Sequence, residues 1–355
     1  MRTLVISDLH LGTRAGHDVL QVPVARDRLF AALDGVDRLV LLGDTLELMT
    51  RAPRRAAARA EPVVRAIGRA LGPGREVIVV PGNHDAGLVR AWALAEGPRL
   101  APSTTVDPGA SPALTWLLAG LAPARTRVSY PGVWLGDGVW ATHGHYLDRH
   151  LLPESTFGIP RGRLGRGAAG SALPMDYERP RHGRRSRPRD SRSARWRARP
   201  VATFLETGAD LLRRAAMPHV PQLMMRGGLA PVTAAVIDTQ MRHASVPAMA
   251  HVVRRLGIDA DWVLFGHVHR RGPIADERWP ELGPGAPRLL NTGSWVLDPL
   301  LVDRAVPPHP YWPGGAVLLD DGRSPRSVGL LDDLSAQDLR PPRGNPGALS
   351  AVTAG

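Results

Sequence analysis

The sequence predicts an α/β fold built on parallel strands, and three observations carry that expectation. Short apolar, β-branched runs at Leu4–Ile6, Leu39–Leu42 and Val77–Val80 each stop at turn-forming residues. Segments with helical periodicity, around Val24–Leu33 and Ala56–Leu71, lie between them. The resulting β-α-β-α-β order makes consecutive strands parallel, with right-handed crossovers. At 43% hydrophobic and 22% charged residues over 355 positions, the chain has enough apolar surface for a sizeable core, which excludes wholesale disorder. The 38 glycines and 34 prolines, about a fifth of the chain, stay below the low-complexity range but predict long loops.

Two further runs, Val139–Thr142 and Trp262–Phe265, read as buried strands. The interval 147–258 interrupts the alternation between them. It opens with an Arg-, Gly- and Pro-rich stretch to Arg199, then becomes amphipathic, with Val201, Phe204, Leu205, Leu211 and Leu212 on one helical face. A second helix is expected from Ser245 as N-cap, with Met249, Val252, Val253 and Leu256 on its apolar stripe. The expected organisation is one domain over 1–332, with 147–258 as a helical and Arg-rich insertion able to act as a lid, and a flexible tail over 333–355. The N-terminal apolar run is too short for a secretory signal, and no stretch of 18 uncharged apolar residues occurs. The chain is therefore expected in the cytoplasm, with peripheral membrane contact left open.

The absence of cysteine excludes disulfide scaffolds, Cys-ligated zinc, iron–sulfur clusters and thiol nucleophiles. Any metal must be held by His, Asp, Glu or Asn. All 45 basic residues are arginine, and residues 161–199 hold 13 of them against Asp176, Glu178 and Asp190, which accounts for most of the net charge of +12. The basicity is thus local.

Each strand ends in metal-capable side chains: Asp8 and His10; Asp44; Asn83, His84 and Asp85; His143 and His145; His267 and His269. In an open α/β sheet the ligand crevice lies at the carboxyl ends of the strands, so five such clusters converge. Residues two apart in extended chain point the same way, which lets Asp8 with His10, and His267 with His269, aim at one centre or at two adjacent ones. Glycines at 43, 82, 144 and 266 permit tight turns and close backbone approach. His143 is preferred over His145 as a ligand because it sits nearest the strand end. Asn291, in Asn-Thr-Gly-Ser-Trp, reads as a turn residue.

In this order, Asp8-x-His10, Gly43-Asp44, Gly82-Asn83-His84-Asp85, His143-Gly144-His145 and Gly266-His267-x-His269 resemble the calcineurin-like metallophosphoesterase superfamily over roughly residues 1–300. Ser7-Asp8-Leu9-His10-Leu11-Gly12 and the long insertion ahead of Gly266 are similar to UDP-2,3-diacylglucosamine hydrolases in particular, although several of those enzymes have Arg where this chain has His84. The resemblance implies a metallophosphoesterase-type β-sandwich flanked by helices, with a dinuclear metal centre at one edge. It also implies that Asp8, His10, Asp44 and His269 bind one ion and Asp44, Asn83, His143 and His267 the other, Asp44 bridging. A mixed imidazole, carboxylate and amide set suits Mn, Fe or Zn without selecting among them. Two such ions roughly 3.5 to 4 Å apart can hold a bridging hydroxide as the nucleophile for in-line displacement. His84, beside ligand Asn83, is then free to stabilise or protonate the leaving oxygen, with Asp85 fixing its tautomer.

The leading expectation is a hydrolase of a phosphate ester or pyrophosphate bond in a phosphorylated small molecule or lipid-like substrate. A nuclease or cyclic phosphodiesterase on the same scaffold would use the Arg179–Arg199 run to hold nucleic acid. Against it, Pro180, Pro188 and Pro200 interrupt the run, and only Tyr177 and Trp196 lie near as stacking groups. A non-catalytic scaffold is disfavoured by a ligand set with nothing missing.

Overall fold

The computed structural model describes residues 1–13, 17–136, 138–150, 170–179, 244–274, 277, 282–283, 285–302 and 305–340. Its strands are β1 (Arg2–Ile6), β2 (Arg38–Leu42), β3 (Glu76–Val80), β4 (Thr104–Thr105), β5 (Arg125–Tyr130), β6 (Gly132–Gly136), β7 (Val139–Thr142), β8 (Trp262–Phe265), β9 (Arg288–Asn291), β10 (Gly315–Asp320) and β11 (Arg326–Gly329). They form a seven-stranded sheet in the order β11-β10-β1-β2-β3-β5-β4 and a four-stranded sheet in the order β6-β7-β8-β9. In the first sheet β1, β2, β3 and β5 are parallel, while β10 joins β1 antiparallel. In the second, β7, β8 and β9 are parallel and β6 is antiparallel.

The expected strands are all present, and the expected sandwich flanked by helices is the observed architecture. The five strands read from the sequence divide between two sheets, three in one and two in the other. Alternation along each strand builds the layers. Leu4, Ile6, Leu39, Leu41, Val77 and Val79 share a core with Leu29 and Leu33 of α1 (Pro23–Asp34) and with Val63 and Ile67 of α2 (Pro53–Leu71). The intervening Val5, Val40, Leu42, Ile78 and Val80 meet Val133, Leu135, Ala141, Leu264 and Leu290 of the second sheet. On that sheet's far side, Trp140, Val263, Phe265 and Leu289 pack against Met249, Val252 and Val253. The order is helix, sheet, sheet, helix. Strands buried on both faces explain why β1 to β3 are near-continuous apolar runs.

Met249, Val252 and Val253 belong to a helix over residues 244–255, so the described end of the insertion covers the core. Ser245 lies inside this helix and is not its cap, because helical structure already includes residue 244 and the buried stripe begins at Val246. The residues Val201 to Leu212, expected on a helical face, fall outside the described residues. A short described piece, 170–179, is fastened to the core: the phenols of Tyr130 and Tyr146 both donate to Glu178 Oε1 at 2.5 Å, and Ala172 N donates to Arg255 O at 2.7 Å. The body of the fold runs past the expected boundary at Asp332, because Leu339 is fully buried in the helix-side core. Among the described residues no helix is long and apolar enough to cross a membrane.

One buried acid gives the fold a pH dependence. Asp18 is 1% exposed, its Oδ2 accepts from Gly12 N at 3.0 Å, and its Oδ1 has no hydrogen-bond partner among the described residues. Burial pushes its carboxyl up to about 7, against the opposing hydrogen bonds from Gly12 and Gln21. A folded pKa raised above the unfolded one contributes stability at low pH that is lost as pH rises towards about 7. The loss between roughly pH 5 and 8 is expected to be about 3 kcal/mol. Urea unfolding of the wild type and Asp18→Asn across that range checks this: the variant is expected to lack this loss, and parallel pH profiles would exclude it.

Candidate metal centre

The parallel strands of both sheets end on the same side, and each candidate side chain follows one of those ends. β1 leads into Asp8 and His10, β2 into Asp44, β3 into Asn83 and His84, β7 into His143, and β8 into His267 and His269. The first two loops remain paired after their strands: Asp8 N donates to Gly43 O at 3.0 Å and His10 N to Asp44 O at 2.8 Å.

Backbone conformation marks the same residues. Among the described residues, the non-glycine positions with left-handed φ are Asp8 (55°), His10 (45°), Asp44 (50°), His267 (70°) and His269 (56°). All five are candidate ligands. The simple alternation expected for Asp8 with His10 and for His267 with His269 is therefore not what aims them; left-handed turns do. Each such residue costs about 1 to 2 kcal/mol, and this kind of strain concentrates where function requires it.

Asp8 is fully buried. Its Oδ2 accepts from His267 N at 3.0 Å and from the Ser7 hydroxyl, which lies 2.6 Å from Thr292 Oγ1. Its Oδ1 has no hydrogen-bond partner among the described residues and lies 3.3 Å from His269 Nε2. His10 Nε2 is 3.1 Å from His269 Nε2 and 3.7 Å from Asp44 Oδ2. On its other side Asp44 Oδ2 is 3.2 Å from His143 Nε2, which is also 3.1 Å from Asn83 Oδ1. Asp44 thus stands between two clusters, Asp8–His10–His269 and Asp44–His143–His267, each with its ligand atoms within 4.8 Å of one another. An orphaned buried carboxylate oxygen, two imidazole nitrogens facing each other and a shared carboxylate fit divalent cations.

The electrostatics agree. Burial would raise the Asp8 carboxyl, yet His269 and His143 hold it near 2, and His143 likewise keeps Asp44 well below the carboxylate range. Burial opposes a charge on His143, but Asp44 and Asp8 push it up to about 10. The buried carboxylates thus demand positive charge beside them. His143 Nδ1 donates to Leu42 O at 3.0 Å, which leaves Nε2 toward Asp44. His145 lies behind, its Nε2 3.5 Å from the Tyr130 hydroxyl and its imidazole pushed down to about 3 by burial and by His143 and His267. The geometry therefore favours His143.

Two residues differ from expectation. Asp85 does not orient His84. Its carboxylate accepts from the backbone of Gly82 at 2.6 Å and of Thr45 at 2.8 Å, clamping the loops after β2 and β3 together. Glu47 takes the orienting place: Oε2 lies 2.8 Å from His84 Nδ1 and 3.1 Å from His10 Nδ1. Its position, an acid three residues after Asp44 between two leucines, is the signal that could have found it. His84 is partly exposed, donates its backbone N–H to Asp44 Oδ1 at 2.8 Å, and stands edge-on to His10 at 4.6 Å. It also forms a third metal-capable group with His10 and Asp44. Asn291 is structural, as expected: Nδ2 donates to Gly266 O at 2.8 Å and Oδ1 accepts from Gly293 N at 2.9 Å.

Residues 1–160 match the family model of calcineurin-like phosphoesterases. That span holds Asp8, His10, Asp44, Asn83, His84 and His143, and stops before His267 and His269. None of the curated proteins matches the chain.

Close approach at Gly82 gives a test of the packing around the candidate ligands. A Cβ there would lie 2.3 Å from Asp44 Oδ1 and 2.6 Å from His143 Cδ2. Gly82→Ala is expected to weaken Mn binding, followed by calorimetric titration, by roughly 10-fold or more. Wild-type affinity would show that the site tolerates the displacement.

Proposed function

We propose that the protein is a hydrolase of phosphate ester or pyrophosphate bonds that works with two divalent cations. The observation that supports this most is the shared carboxylate Asp44, set between two imidazole–carboxylate clusters at the ends of strands from both sheets. The family match over residues 1–160 supports the same chemistry. On this reading Asp8, His10, Asp44 and His269 hold one cation, and Asp44, Asn83, His143 and His267 the other. Bound there, the pair would polarise phosphoryl oxygens, lower the pKa of water and neutralise developing charge.

The protein's own groups do the rest. Ser7 and the backbone of His267 tie down Asp8 Oδ2, so that only Oδ1 faces inward. Glu47 accepts from Nδ1 of both His10 and His84, which leaves each Nε2 for its task. For His10 that task is ligation; for His84 it is to hold a proton for the departing oxygen. His84 favours the protonated form: burial opposes it, but the Glu47 hydrogen bond and Asp44 raise its pKa. The substrate class is a phosphorylated small molecule. The finer likeness of the first loop to UDP-2,3-diacylglucosamine hydrolases makes a lipid-linked pyrophosphate the first member of that class to try.

Purified protein supplied with Mn is expected to hydrolyse an aryl phosphate, and chelation to abolish the reaction. Asp44→Asn should reduce the rate by roughly 100-fold or more, because both cations lose a shared ligand; a rate within a factor of two of wild type would sink the bridging role. Parallel assays on nucleotide-sugar pyrophosphates and single-stranded DNA assign the bond cleaved.

His84→Ala should slow turnover of substrates with poor leaving groups by roughly 10²-fold while metal content is unchanged. Glu47→Gln should give a smaller defect of the same kind. Loss of metal in His84→Ala would make that residue a ligand instead.

A further inference from the structure

Just after His143, the turn His145–Arg149 carries an acid that neither motif nor family match assigns to the site. Asp148 Oδ1 lies 2.9 Å from His267 Nε2. The carboxylate is 56% exposed, while the His267 side chain is only 14% exposed. The turn that presents it is fixed from beneath: Tyr146 and Leu147 are buried in the outer core, Leu147 N donates to Gly144 O at 2.9 Å, and His150 N donates to Leu147 O at 2.8 Å. Asp148 is thus a surface acid on a rigid mount, aimed at a ring that belongs to the Asp44–His143–His267 group.

A carboxylate offers only acceptors, so this hydrogen bond requires the imidazole proton on Nε2. The lone pair of neutral His267 then resides on Nδ1. We propose that Asp148 is a positioning residue for the second cation: it holds His267 as the Nε2–H tautomer and turns Nδ1 toward Asp44 and His143. The arrangement complements His143, whose Nδ1 is tied to Leu42 O and whose Nε2 faces inward. Two histidines of one cluster then present opposite ring nitrogens, one locked by a buried carbonyl and the other by a rim carboxylate. Outer partners of this kind typically change metal affinity by roughly 10- to 100-fold.

The proposal rests on the dinuclear reading for its consequence, but its structural core is readable without metal. Long-range ¹H–¹⁵N spectra of the metal-free protein should show His267 protonated on Nε2. Asp148→Ala should give a mixture of tautomers, and Asp148→Asn, whose amide oxygen also accepts, should keep the wild-type one. In calorimetric titration with Mn, the second binding step should weaken roughly 10- to 100-fold in Asp148→Ala, with the first step unchanged and Asp148→Asn near wild type. Circular dichroism of both variants checks folding. If His267 keeps its tautomer in Asp148→Ala, or if that variant binds the second ion as wild type does, the positioning role is overturned. If Asp148→Asn is as damaged as Asp148→Ala, the charge acts directly and the tautomer argument fails. A wild-type chain that binds a single ion refutes the dinuclear reading itself, whatever the tautomer shows.

Discussion

Burial of two carboxylates beside each other's histidines is the constraint on which the rest of the site depends. Asp8 and Asp44 are withdrawn from water almost completely, and yet their neighbours hold them ionised. Such a pair is tolerable only if every other lone pair is satisfied and the remaining charge is matched. The surrounding structure meets the first condition at Asp8 Oδ2 and Asp44 Oδ1, through Ser7, the His267 backbone and the His84 backbone, and leaves Asp8 Oδ1 open. It leaves the second to the imidazoles and, on the proposed reading, to cations.

The layered core makes that burial feasible. A sheet sandwiched between helices and a second sheet brings parallel strands from two sources to one edge, so candidate ligands from five separate loops lie only one to four residues beyond their strands. The five left-handed candidate-ligand positions are where this convergence is strained. Their strain is small against a core of this size, and it is borne by loops that pair with each other and by glycines that let rings and carboxylates close in.

Much of this was legible in the sequence, for physical reasons. Strands covered on both faces must be apolar at every position, so β1, β2, β3, β7 and β8 declared themselves, and polar residues directly after them had to be at the edge. The candidate ligands were visible because strand ends place them. β5 was not visible, since its first residues, Arg125, Thr126 and Arg127, are exposed or half-buried and polar, and Arg127 pairs with Glu76. Glu47 and Asp148 were hidden by a different cause. They act across loops whose return path no periodicity encodes, and adjacency in sequence pointed to Asp85, whose carboxylate serves the backbone instead. Leu339 was masked by a Pro- and Gly-rich neighbourhood, although one apolar side chain is enough to draw the chain back to the core.

The carboxylate of Glu178, gripped by two phenols, has a topological consequence. By fastening residues 170–179 to the core, it pins the chain at one point between the turn His145–Arg149 and the helix over residues 244–255. The path from that turn to that helix thus passes through a fixed station on the core, and the carboxylate between the phenols is what holds it there.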